Sequence, residues 1–347
     1  YLNIDSGTLS PYRHGEVFVL DDGTETDMDL GSYERFLDAS LSKDNFTTHG
    51  QIYNSIIQKE RRGEYNGRDV QYIPHVTGET KMVLRNLAMK SKADIVLVEI
   101  GGTVGDYENL FAMESVRGLI YEEGKQNACL VNLTYIIEPK HLGEFKSKAA
   151  QIGLKQLMSL GLQPDIIVCR SQTPITQSVK EKISMNANVP VEGVFNTYDV
   201  DNIYRLPLFY REQGIDEAIL RHLGLAQRHK VNGSRSLRDW TGKNLSQPKG
   251  EVTIGIAGKY TGTSDTYISI VKALEHSGLA AGKKVKVRWI ETTELETGKA
   301  KIGEVMEGID GILIPGGFGS RGVEGKIMCV NYARTNNFPF LGICYGF

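Results

Sequence analysis

Four cysteines are scattered through 347 residues and none forms a C-x-x-C pair. That scarcity excludes a disulfide framework and a zinc site of ordinary spacing, and it fits a reduced, cytoplasmic compartment. No apolar run approaches the roughly 20 residues of a membrane span, and no signal peptide opens the chain, so a soluble protein without a membrane partner is expected. Charge of one sign is also lacking: 42 acidic residues face 40 basic ones, a formal net charge of -2. Such a balance supplies no global field for capturing nucleic acid, and any phosphate site must be local. A phosphate loop of the form G-x-x-x-x-G-K-[ST] is missing as well, since GLAAGKK (278–284) lacks both its spacing and its hydroxyl.

What remains is ordinary globular composition, 40% apolar and 24% charged, over a length that exceeds one hydrophobic core and predicts two domains. The segments 93–100 (ADIVLVEI), 129–137 (CLVNLTYII) and 165–169 (DIIVC) are near-continuous apolar runs. They read as strands buried on both faces of a parallel sheet. Between them, 110–122 and 146–160 carry apolar residues at the spacing of crossover helices. The fold class is α/β, doubly wound.

The pattern breaks at 225–250, a polar, basic stretch rich in Gly and Ser, with Trp240 its one large aromatic. It reads as a solvated connector rather than a nucleic-acid patch. Strand and helix signals resume with 252–256, 265–276, 285–290, 309–314 and 338–343. Residues 1–224 thus form a first domain, 225–250 a linker and 251–347 a second α/β domain. Tyr1 in place of methionine, and Phe347 just past a cysteine in a strand-like segment, read as a fragment of a longer protein.

In the second domain ILIPGGFGSRG (312–322) precedes FLGICYGF (340–347). Gly342 and Gly346 flank Cys344 at two residues on either side, as a sharp strand-to-helix turn requires when its central side chain is held strained and exposed. A thiol at a helix start has a lowered pKa, and Gly316-Gly317 lets backbone amides approach a developing oxyanion. An isolated G-x-C-x-G reads more simply as a structural cysteine in a Gly-rich core strand. The PGGFG upstream turns the reading toward a nucleophile.

In the first domain Glu99 ends an apolar run ahead of GGTVGDYE (101–108), where α/β sheets hold ligands and Mg²⁺. The segment 25–29 (ETDMD) adds carboxylates; alone, such acids are more often helix caps or solvated loop residues. GEFKSKAAQ (143–151) reads as a helix start with two lysines, a phosphate site in combination and an exposed basic face in isolation. KERRG (59–63) reads as solvated charge.

Taken jointly, these segments resemble the CTP synthase family along essentially the whole chain. The resemblance is carried by SGTLSPYRHGEVFVLDDGTETDMDLGSYERF (6–36), NFTTHGQIYNSIIQKERRGEY (45–65), VQYIPHVT (70–77) and VEIGGTVGDYE (98–108). It continues through QPDIIVCRS (163–171), DVDNIYRLP (199–207), VTIGIAGKY (252–260), PGGFGSRGVEG (315–325) and LGIC (341–344). It implies a doubly wound P-loop-type amidoligase domain followed by a partial class I glutamine amidotransferase domain. The implied activity is amination of UTP at C4 to CTP, with ATP and glutamine as co-substrates, Mg²⁺ as metal, GTP as activator, and a homotetramer.

By motif, the resemblance makes Cys344 the nucleophile, with Gly317, Tyr345, Gly346 and Phe347 on glutamine. Asp29 and Glu99 hold Mg²⁺ on the ATP phosphates, and Tyr198, Asp199 and Val200 lie near adenine, with Asp29 also counted at ATP. Asp106, Tyr107 and Glu108 fall at the CTP feedback site, and Lys146, Ser147, Lys148, Ala149, Ala150, Gln151 and Lys182 at the UTP/CTP site. Glu114 and Arg117 support an interface near it. Where the family usually reads K-T-K-P-T-Q, this chain reads K-S-K-A-A-Q, keeping both lysines and the glutamine; Ser6 stands where proline is frequent. The family's Gly-rich loop ahead of Tyr1 and its distant His and Glu are not in the sequence, and the 347 residues alone are expected to be inactive. The alternative is a glutamine-dependent amidoligase of the dethiobiotin or cobyrinate synthetase type.

Overall fold

The computed structural model describes residues 1–139, 143–226, 242 and 248–347. Strands among them, in chain order, are β1 Phe18–Val19, β2 Glu25–Thr26, β3 Val131–Tyr135, β4 Ile166–Ser171, β5 Val194–Tyr198, β6 Glu251–Gly258, β7 Lys284–Glu291, β8 Gly311–Ile314 and β9 Phe340–Gly342. They build an antiparallel β1–β2 ribbon, a parallel sheet ordered β3-β4-β5 and a parallel sheet ordered β7-β6-β8-β9. Two compact units result, one of Tyr1–Ile4 with Thr47–Gly242, the other of Asp5–Phe46 with Lys243–Phe347. Most of the connector at 225–250 lies outside the described residues.

In the first unit β4 is central, and its alternation explains the continuous apolar run. Ile167 and Cys169 pack with Ala150, Leu154, Val179 and Ile183 from the helices Lys148–Ser159 and Gln177–Ala187. Ile166 and Val168 turn to the other face, against Phe195 and Ile215 and Ile219 of the helix Ile215–His222. Each fully buried aliphatic chain contributes about 2 kcal/mol by leaving water. A further cluster of Ile52, Ile56, Val76 and Phe111 joins the helices His49–Arg61, Thr77–Ser91 and Leu110–Glu123. The first of these starts on a capping box: the Thr48 hydroxyl accepts from the Gln51 N–H at 3.1 Å, and the Gln51 amide oxygen accepts from the Thr48 N–H.

Two expectations are corrected. The apolar run 93–100 is not a strand: Asp94 onward follows an irregular path and Leu97 is 84% exposed. A strand needs a neighbour for its N–H and C=O groups, and among the described residues none pairs with this segment. KERRG is not merely solvated, because Lys59 forms an ion pair with Glu79, whose carboxylate also accepts from the Ser55 hydroxyl at 2.6 Å.

In the second unit β6 lies between β7 and β8, and Ala257, Ile290, Ile312 and Ile314 pack with Cys329 and Ala333 of the helix Val323–Thr335. Residues 5–46, assigned by sequence to the first domain, pack in this unit. Tyr12 donates to the Lys259 carbonyl at 3.2 Å and meets Tyr260 edge-on at 5.1 Å. Glu16 accepts from the Ser269 N–H at 2.7 Å. These polar and ring contacts hold the segment there.

Candidate active site

The parallel register of β8 and β9 pairs Ile312 with Phe340, Leu313 with Leu341 and Ile314 with Gly342. The Ile343 N–H then donates to the Ile314 carbonyl at 3.0 Å, extending the ladder by one step. Both chains leave the sheet side by side at their carboxyl ends, where an α/β sheet presents a ligand crevice. One exits as Pro315-Gly316-Gly317, the other as Ile343-Cys344.

Cys344 has φ +54, a left-handed conformation that costs a non-glycine residue on the order of 1–2 kcal/mol. The chain turns there into the short 3-10 segment Cys344–Gly346, with the Gly346 N–H donating to the Ile343 carbonyl at 2.9 Å. Gly346 is buried, and a Cβ on it would overlap the Ile314 carbonyl oxygen; one on Gly342 would overlap the carbonyl oxygen of Gly346. The G-x-C-x-G spacing is thus imposed by backbone crowding on both sides of the turn.

Of the four cysteines only Cys344 is exposed. Burial pushes the thiols of Cys169 and Cys329 up to about 12 and that of Cys129 up to about 11. Those three are poor nucleophiles, because the thiolate is the reacting form. Tyr345 and Phe347 are exposed beside the thiol, and Gly317 lies on the facing loop.

Two buried lysines that sequence reading passed over underlie this loop. Lys259, at the end of β6, donates to the Phe318 carbonyl, and Lys326 donates to the Pro315 carbonyl at 2.9 Å. Both are 6% exposed. A signal existed for Lys326: it precedes Cys329 and Ala333 at helical spacing, on the stripe that is buried.

In the first unit the lysine-bearing segment 143–151 leads into a helix. Ser147 precedes the helix Lys148–Ser159, accepting from the Gln151 side-chain amide at 3.0 Å, while Lys148 and Ala149 are exposed and Ala150 buried. Lys146 pairs with Glu144, and that pairing, with Lys182 adding its charge, holds the Glu144 carboxyl below the usual range. Lys146 and Lys182 therefore share one neighbourhood, with helix amides beside them.

Asp106 caps a loop by accepting from the Thr103 N–H at 3.0 Å; Tyr107 and Glu108 are exposed next to it. Glu114 and Arg117 form an ion pair at 2.6 Å on the helix Leu110–Glu123. Tyr198 ends β5 and meets Phe209 edge-on at 4.8 Å, with Asp199 facing Arg170 at 3.5 Å and Val200 half-buried.

Glu99 is exposed at the end of the irregular stretch in the first unit. Asp29 belongs to the second unit, in the first turn of the helix Met28–Leu37. Burial raises its pKa, and the Asp27 and Asp265 carboxylates raise it further. Asp29 thus sits near Asp27 and Asp265, and carboxylate oxygens are the donor type that Mg²⁺ takes. Elsewhere Cys129, Asp165 and His222 bring ligand atoms within 4.8 Å of one another. Asp165, however, accepts from the Leu130 N–H at 2.8 Å with Lys125 3.8 Å away, and His222 faces the Ala128 carbonyl at 3.0 Å. Asp165 and His222 are already engaged by these neighbours. No helix among the described residues is long and apolar enough to cross a membrane.

The family model for the CTP synthase N-terminus matches residues 1–225, and that for class I glutamine amidotransferases matches 263–347. CTP synthases of Thermococcus gammatolerans, Pyrococcus abyssi and Methanopyrus kandleri are 50%, 48% and 48% identical over all of this chain. The chain spans 64%, 63% and 64% of their lengths. A solved glutaminase domain of Trypanosoma brucei CTPS with bound acivicin is 38% identical over 27% of this chain and 37% of that one, at a TM-score of 0.26. The dethiobiotin and cobyrinate alternative gains no support from these matches. With the first model covering well over half of its residues, and relatives identical at every second position, the chain belongs to the CTP synthase family.

Proposed function

We propose that this chain carries the amidoligase core and the nucleophile half of a glutamine-dependent CTP synthase, a C–N ligase that aminates UTP at C4. The observation that supports it most is Cys344 in its strained turn beside Gly316-Gly317, within a chain of this family. The Cys344 Sγ attacks the side-chain amide carbon of glutamine, the amide oxygen becomes an oxyanion received by the Gly317 N–H, and ammonia departs. Water then releases glutamate from the thioester. Tyr345, Gly346 and Phe347 complete the glutamine contact.

In the amidoligase domain, proposed as 1–224 with 251–347 for the amidotransferase, ATP phosphorylates the uracil oxygen and ammonia displaces that phosphate, giving CTP, ADP and phosphate. Lys146 to Gln151 and Lys182 hold the UTP phosphates by charge and helix amides. Tyr198 to Val200 lie at adenine, and Asp106 to Glu108 bind feedback CTP. Asp29 and Glu99 are each proposed as an acid that would take Mg²⁺, which neutralises phosphate charge when bound. GTP activation, a homotetramer and a cytoplasmic setting belong to the same reading.

The test is to supply the full-length protein with UTP, ATP, Mg²⁺ and glutamine labelled with ¹⁵N in its side-chain amide. Label is expected at the 4-amino group of CTP. Unlabelled or absent CTP would contradict the reading.

A further inference from the structure

Lys259 and Lys326 are lysines in the interior, where an ammonium is held only by specific partners. Their partners are two carbonyls of one loop. Lys326 holds Pro315 O at 2.9 Å and Lys259 holds Phe318 O, one on each side of Gly316-Gly317. Both approach Gly317 itself: a Cβ there would lie 3.6 Å from Lys326 Nζ and 3.8 Å from Lys259 Cε. A trans peptide points its C=O and the following N–H in opposite directions. Fixing the 315–316 and 318–319 peptides therefore limits the rotation of the two glycine-bearing peptides between them. A loop with two consecutive glycines would otherwise sample many conformations.

We propose that Lys259 and Lys326 act as a paired clamp, positioning residues that hold the Gly316-Gly317 peptides opposite Cys344 for glutamine hydrolysis. The inference rests on the assignment of Cys344 as nucleophile and names what keeps its oxyanion donor in place. A clamp works because a preorganised donor spends nothing on reorientation as charge develops.

Geometry also sets the charge balance. Lys326 Nζ is 5.6 Å from the Tyr345 ring centre, and Arg321 and Lys259 lie over Tyr260 at 5.6 and 5.4 Å. Burial lowers the Lys326 pKa, as does the Lys259 cation, while the Cys344 thiolate opposes both. The acids on this side are already engaged, Glu296 with the Gly322 N–H at 2.6 Å and Glu291 with the Thr261 and Thr293 hydroxyls at 2.7 Å. Among the described residues neither lysine forms an ion pair with a carboxylate, and both are engaged by the loop carbonyls.

The experiment uses the full-length enzyme with Lys326→Met, Lys326→Gln and Lys259→Gln. It measures glutaminase kcat and KM, thermal unfolding, and alkylation of Cys344 by iodoacetamide, read on its own peptide. Methionine keeps the packing but loses the donor, so kcat should fall about tenfold with KM nearly unchanged, as misplacement of a catalytic donor does. Glutamine retains an N–H for the Pro315 carbonyl and should recover part of kcat. Lys259→Gln should lower kcat in the same sense, and it remains informative if the methionine variant does not fold. Unchanged kcat in both glutamine and methionine variants, or a loss that follows unfolding temperature alone, would overturn the clamp. Wild-type enzyme with no alkylation at Cys344 and no glutaminase activity would instead overturn the nucleophile assignment and the clamp with it.

Discussion

Gly316 faces Cys344 so closely that a Cβ on the glycine would lie 3.2 Å from the cysteine Cβ and 3.5 Å from its Sγ. The approach follows from the β8–β9 register, which delivers the two turns to one edge of the sheet. The position of Cys344 is therefore a product of strand pairing, and backbone crowding governs which residues can stand in the turn.

Gly346 is the sharpest case, since its would-be Cβ overlaps a main-chain carbonyl that cannot move without breaking the β8 ladder. Gly346→Ala should lower the stability of the second unit by about 3 kcal/mol, the upper range for overpacking, and abolish glutamine hydrolysis. Denaturant unfolding of the full-length protein measures it; an unchanged midpoint would show that the turn can relax.

Asp29→Asn and Glu99→Gln should each abolish CTP synthesis with glutamine and with ammonia alike, because phosphate charge would no longer be neutralised by a held cation. Near-normal ammonia-dependent turnover in either variant would remove that residue from the metal site.

Glu79 gives the first unit a pH dependence. Burial raises its carboxyl pKa, but hydrogen bonds from Lys59 and Ser55 and the Lys59 charge outweigh that and leave it lowered from 4.5. A carboxyl with a depressed folded-state pKa contributes stability that is present above the unfolded value and lost as pH falls through the folded one. Glu79→Gln should therefore destabilise the unit at pH 7, and the difference from wild type should shrink below about pH 4.5. A gap independent of pH would assign the loss to packing.

Much of this was legible in residues. The double-faced burial of β4 showed in the run IIVC, because an uninterrupted apolar segment has no solvent face to reserve. The turn at Cys344 showed in its flanking glycines. Segment 93–100 carried the same apolar signal and forms no strand, since pairing depends on a neighbour that local sequence does not encode. Packing of 5–46 with the second unit depends on long-range contacts such as Tyr12 with Lys259, invisible to periodicity. Lys259 and Lys326 were missed because a lysine reads as surface until its buried carbonyl partner is seen.

Whether Cys344 generates ammonia for a separate synthetase site is decided by Cys344→Ala in the full-length enzyme, assayed for CTP with glutamine and with ammonia. Cys344 is the one exposed thiol and sits on the β9 turn, in the segment matched by the amidotransferase family, while the synthetase motifs lie in the segment matched by the other model. Glutamine-dependent CTP formation should disappear while ammonia-dependent formation persists near the wild-type rate. Equal loss of both, or glutamine-dependent synthesis that survives the substitution, would contradict it.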